Sequence, residues 1–228
     1  MGSRPDRRRR SAAVLAVAAA LVLAACSSDG SDGAAATSGS SELAPTGATE
    51  IEGLVRDDPL QVGDATLPEV AADGSTQPFS FRAPEGDLLF VAFGYTNCPD
   101  VCPTTLYDIK KARQILGDQA DRVEVAFATV DPDRDDAETM TAYLGSFVDG
   151  GHPLRTADHD ELVAAEEAFG VTSQVVTADD GTVEVAHTAR SFVVDDAGQV
   201  VVEWAFGTDA EVMANDLLLL LAAQDEAS

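Results

Sequence analysis

The sequence predicts an α/β sandwich with a central mixed sheet and flanking helices. Three observations carry this. Two runs, Leu88 to Gly94 and Val123 to Val130, are nearly all apolar, as central strands buried on both faces must be. Each run is followed by a segment whose apolar residues recur at helical spacing. After Val171 the period changes to two alternating runs with Gly-containing turns, which read as antiparallel hairpins. Strand, helix, strand, helix in that order argues a parallel core pair, to which the hairpins add antiparallel strands.

The chain begins outside that domain. Arg4 and Arg7 to Arg10 form a positive n-region, and Ala12 to Ala25 an apolar h-region. The segment ends Leu23-Ala24-Ala25-Cys26, and small residues at such a point mark signal-peptide cleavage. The apolar run is short for a membrane span. A Cys directly after Leu-Ala-Ala resembles the bacterial lipobox, which implies a lipidated Cys26 as the mature N-terminus. Ser27 to Glu50 is rich in Ser, Gly, Ala and Thr and reads as a flexible linker. The expected layout is a lipoprotein signal peptide over 1–25, a lipidated N-terminus and linker over 26–50, and a folded domain over 51–228. That domain is expected on the extracytoplasmic face of a bacterial cell membrane, held by lipid.

The 228 residues include 14 basic and 40 acidic side chains, a net charge of −26. Without residues 1–25, 9 basic and 39 acidic residues remain, a net charge near −30. Such a domain is excluded as a nucleic-acid binder, because that affinity depends on basic contacts. The excess reads as a solvated acidic surface, with a basic partner patch as the functional alternative.

Ile51 to Ser80 reads as irregular chain and short strands, punctuated by Pro59, Gly63, Pro68 and Gly74. Thr104 to Leu116 is a helix with an apolar stripe of Ile109, Ala112, Ile115 and Leu116, stopped by Gly117. Asp136 to Val148 and His159 to Phe169 are the next helices. Val171 to Thr177 pairs with Thr182 to His187, and Ser191 to Val194 with Gln199 to Trp204. Asp209 to Ala223 closes the chain as a helix. A thioredoxin-like sandwich fits this order best.

Cys98-Pro-Asp-Val-Cys102 sits between the first core strand and its helix. A helix N-terminus stabilises anions, so a thiol there has a lowered pKa. Cysteines at i and i+4 share one helical face, so both sulfurs can point at one metal ion or close on each other. Of three cysteines, Cys26 belongs to the lipobox and the other two are this pair. One close pair does not staple a fold, and so short a loop stabilises little by chain entropy. The pair therefore reads as chemistry. His152, in a Gly-Gly-His-Pro loop, and His159, at a helix start, read as surface residues. His187 follows Val183 and Val185 on the apolar face of its strand, where a lone His is more often a core residue than a ligand. Asp100 reads as a helix cap. Asp131 reads as a partner of backbone or of Arg134, with orientation of His187 as the functional alternative. Phe93 and Tyr95 read as core.

Phe93 to Leu106, with its two cysteines, resembles the Sco/SenC family of copper-binding, thioredoxin-like proteins. Val130-Asp-Pro-Asp-Arg-Asp135 and Val185-Ala-His187-Thr, the latter followed by Ser191 to Asp195, resemble two further segments of that family in the expected order. Asn97 and Asp136 depart from its usual residues without touching the ligand positions. The resemblance implies copper ligation by Cys98, Cys102 and His187, with Cys98 and Cys102 as a redox-active pair. It also implies a metallochaperone that delivers one copper to the binuclear copper site of cytochrome c oxidase subunit II; separately, two thiolates and one imidazole can hold copper as Cu(I) and as Cu(II). Other copper carriers or thiol reductants are its expected further partners. Zinc is the other metal to weigh, but structural zinc takes four protein ligands and three are evident. The competing function is a thiol–disulfide oxidoreductase that keeps the target cysteines reduced. Against a general reductase stand the three residues between the cysteines and the lack of a proline in Thr188-Ala-Arg-Ser191. A peroxidase is a weaker reading of the same thiols, whereas a copper sensor or store would use the same ligands as a chaperone and show the same sequence features.

Overall fold

The computed structural model describes residues 44–227. Nine strands and four α-helices follow in the order β1 (Thr66–Val70), β2 (Thr76–Ser80), β3 (Leu88–Gly94), α1 (Val101–Leu116), β4 (Val123–Thr129), α2 (Ala137–Gly145), β5 (His152–Leu154), α3 (His159–Phe169), β6 (Ser173–Thr177), β7 (Val183–His187), β8 (Arg190–Val194), β9 (Val200–Ala205) and α4 (Ala210–Ala227). Seven strands form one mixed sheet in the order β2-β1-β5-β4-β3-β8-β9. β3 and β4 pair in parallel from Leu88↔Val123 to Gly94↔Thr129, and β8 joins β3 antiparallel. This is the thioredoxin-like sandwich the sequence predicts.

Every residue of β3 is buried, because the sheet is covered on both faces. Leu88, Phe90 and Ala92 pack with α1, α2 and α4 around Trp204. Leu89, Val91 and Phe93 pack on the other side with Phe81, Phe169 of α3 and Phe192. Burying one such large side chain contributes about 1.5–3 kcal/mol. The end of β3, from which the Cys98 loop departs, is thus fixed by two cores.

Two departures from expectation stand out. α1 begins at Val101, so Cys102 lies inside its first turn. Pro103 is tolerated there because the first helical N–H groups have no partner to lose. His152–Leu154 forms β5, parallel to β4, although Gly150-Gly-His-Pro153 reads as a loop. Three residues including a proline are too few to show a strand period. His152 is accordingly half-buried, with Nδ1 3.1 Å from Glu69, Nε2 3.5 Å from Glu124, and its ring against Phe79. His159 is exposed, as expected.

The expected linker already touches the domain at Gly47, whose N–H donates to Asn215 Oδ1 at 3.0 Å. Glu52 and Gly53 donate their N–H groups to the fully buried Asp216 carboxylate, each at 2.9 Å. Trp204 Nε1 donates to the same carboxylate at 2.9 Å. Cys26 and the expected signal peptide lie outside the described residues. No helix among the described residues is long and apolar enough to cross a membrane.

Candidate metal centre

The loop from Tyr95 to Asp100 carries Cys98 out of β3 and into α1. Cys98 is half-buried, Cys102 is 3% exposed, and both thiols are free. Cys98 Sγ accepts the backbone N–H of Cys102 at 3.3 Å, satisfying one of the open donors of the first turn. Asp100 occupies the N-cap position, but its side chain makes no capping bond. The sulfur thus caps the helix in place of the expected aspartate. Gly94 makes room for Cys102: a Cβ there would lie 2.7 Å from Cys102 Sγ and 2.9 Å from the Phe127 ring. A glycine is required here by close approach.

His187 arrives at the end of β7, in a two-stranded sheet separate from the main one. Its Nε2 lies 3.6 Å from Cys102 Sγ, and its Nδ1 lies 3.1 Å from the Thr188 carbonyl. Only a protonated Nδ1 can donate to that carbonyl, which leaves the Nε2 lone pair toward the sulfurs. The Tyr95 ring meets His187 edge-on, with centroids 6.1 Å apart at 89°. Tyr95 is half-buried and its ring meets His187, so it lines the site rather than the core alone. Asp131 pairs with Arg134, whose guanidinium lies 5.8 Å from the Tyr95 ring centroid. The orienting partner of His187 is therefore the Thr188 carbonyl, not Asp131.

The donor atoms of Cys98, Cys102 and His187 all lie within 4.8 Å of one another. Donors about 2.0–2.3 Å from one shared ion are at most about 4.6 Å apart. The three are thus almost at coordinating separation. No other such group of three occurs among the described residues. Soft thiolates suit Cu(I), and imidazole suits Cu(II) as well, so the donor set fits copper in either state.

The two thiols differ. Burial works to raise Cys98, but hydrogen bonds from the Cys102 thiol, the N–H groups of Cys102 and Asp100, and the Tyr95 hydroxyl outweigh it and lower its pKa. Burial pushes Cys102 strongly up, reinforced by its hydrogen bond to Cys98. Burial lowers His187, against the Thr188 hydrogen bond, and so keeps the imidazole neutral. Cys98 is the more accessible sulfur and Cys102 the deep one. Ligation requires deprotonated sulfurs and so releases protons.

Four residues beside the site carry no sequence signal of their own: Gly94, against Cys102 Sγ, and Thr96, Thr129 and Asp135, whose side chains are hydrogen-bonded together next to the Cys98 loop. Asp135 lies in a segment the family resemblance marks, which was the available clue.

The SCO1/SenC family model matches residues 70–222. The chain is 29% identical over 129 residues to a Stutzerimonas stutzeri protein named for copper binding, covering 56% of this chain and 63% of that one. It thus spans a little under two thirds of that relative. It is 27% identical over 150 residues to the SCO2-like protein RP587 of Rickettsia prowazekii, covering 64% of this chain and 70% of that one. Among solved structures, copper-bound ScoI of Bradyrhizobium japonicum is 32% identical with a TM-score of 0.58, covering 68% of this chain and 96% of that one. Apo Sco1 of Thermus thermophilus is 28% identical with a TM-score of 0.58, covering 77% and 96%. The matched span carries the thiol pair, the histidine and the fold that brings them together, and the chain belongs to the SCO1/SenC family.

Proposed function

We propose that this protein is a copper metallochaperone. It binds one copper through Cys98, Cys102 and His187 and hands it to the binuclear copper site of cytochrome c oxidase subunit II. The observation that carries this reading is the convergence of three copper-suited donors within 4.8 Å in a SCO1/SenC fold. Each donor has a separate part in transfer. Half-exposed Cys98 is the sulfur that an incoming thiolate of the acceptor reaches first. Buried Cys102 retains the cargo until the acceptor has formed its own bonds. His187, on a hairpin outside the main sheet, is the donor most easily withdrawn. A lipid at Cys26 would keep the domain at the extracytoplasmic face of the membrane, near a membrane-bound acceptor. Mixing the copper-loaded chain with the copper-free soluble domain of subunit II tests delivery. Growth of the acceptor's binuclear absorption, with matching loss of copper from the donor, is expected. Copper that stays on the donor contradicts delivery.

The asymmetry of the thiols favours one second reading. A lowered Cys98 pKa beside a raised Cys102 pKa suits attack by Cys98 on a disulfide of the target, with Cys102 then resolving the mixed disulfide. Two electrons pass from the pair to the target, which leaves as a dithiol. Vigorous metal-free turnover of an insulin-like disulfide substrate would favour this reductase reading.

A further inference from the structure

The segment from Val130 to Asp135 supplies no donor to the centre, yet it is bonded directly to the Cys98 loop. Asp135, its last residue, is fully buried. One carboxylate oxygen accepts the Thr96 N–H at 2.9 Å and the Thr129 hydroxyl at 2.6 Å. The other accepts the Thr96 hydroxyl. These three donors are neutral. The nearby Arg155 bonds instead to the backbone carbonyls of Asp135 and Pro132, at 2.7 and 2.9 Å. A carboxylate held this way is costly to bury, and an apolar residue of similar volume would often serve stability as well. What the carboxylate achieves is local order. The N–H and the hydroxyl of Thr96 are both tied to it, two residues before Cys98. The same segment holds the root of the loop, where Val130 N–H donates to the Gly94 carbonyl at 2.8 Å. Cys98 itself has two ties, its N–H to Tyr95 O at 3.2 Å and its Sγ to the Cys102 N–H at 3.3 Å.

We propose that Asp135 is a positioning residue for the metal centre: by clamping Thr96 it sets the distance of Cys98 Sγ from Cys102 Sγ and His187 Nε2. The inference deepens the copper reading above, and rests on that reading for its metal-dependent readout only.

The test uses the full chain and two variants. Asp135→Asn keeps the shape and loses the charge-assisted acceptor. Thr96→Val keeps the N–H donor and removes only the hydroxyl. In the metal-free protein, hydrogen exchange at residues 95–98 is expected to accelerate at least tenfold in Asp135→Asn, with α3 and α4 unchanged. In copper(II) titrations, affinity should fall about 10–100-fold, as for other residues that orient metal ligands. The sulfur-to-copper absorption band should also shift. Thr96→Val should move every readout the same way by less. Wild-type loop exchange and an unshifted band in both variants would overturn the clamp. So would exchange that accelerates evenly over the whole domain, which marks a purely structural role. If the wild-type chain gives no sulfur–copper band, the copper reading fails separately, and local exchange alone decides the clamp.

Discussion

Cys102 Sγ and His187 Nε2 lie 3.6 Å apart although 85 residues separate them in the chain. One belongs to the rigid start of α1, packed under β3. The other belongs to a hairpin outside the main sheet. The site therefore joins a donor from the helix under the main sheet to one from a separate two-stranded sheet, and the predictions follow from that division.

His187→Ala should weaken copper binding by at least about tenfold without abolishing it, because the two sulfurs remain in place. Competition titration against a copper chelator checks this. The Cu(II) form should suffer more than the Cu(I) form, since imidazole is the donor better suited to Cu(II).

His187 also sets a pH dependence of folding. Burial depresses its folded pKa, so below about pH 6.5 the unfolded chain binds a proton that the folded chain resists. Stability of the metal-free protein should thus fall as pH drops through that region. Urea unfolding at pH 7.5 and pH 5.5 should show a smaller drop in His187→Ala than in the wild type.

Gly94→Ala should destabilise the domain by about 1–3 kcal/mol, because its Cβ would stand 2.7 Å from Cys102 Sγ in a packed core. Copper affinity should fall with it, as the sulfur is displaced. Denaturant midpoints and copper titration on the same variant read both effects.

Asp216→Ala provides the opposite control. It strips the acceptor from the N–H groups of Glu52, Gly53 and Trp204. Three stranded donors should cost more than about 2 kcal/mol. The copper stoichiometry of the folded fraction should be unchanged, which mass spectrometry under native conditions can measure.

The fold was legible where the signal was long. The apolar runs of β3 and β4 and the period of α3 give their elements almost to the residue. β5 was not legible, because three residues with a proline carry no period, and its identity comes from pairing with β4. The three candidate donors were legible in two ways. The cysteines announce themselves by spacing and by their place before a helix. His187 could not be chosen over a core histidine without the family resemblance. Gly94, Thr96 and Asp135 matter through contacts that only the folded chain makes. Asp131 pairs with Arg134, one of the partners expected for it, and does not orient His187.

The most direct test of the account is copper stoichiometry on the full chain, reduced and anaerobic, beside Cys98→Ser and Cys102→Ser. The account predicts one copper per chain in the wild type and none retained by either serine variant. A wild-type chain that holds no copper, or serine variants that hold it as well as the wild type, would contradict it.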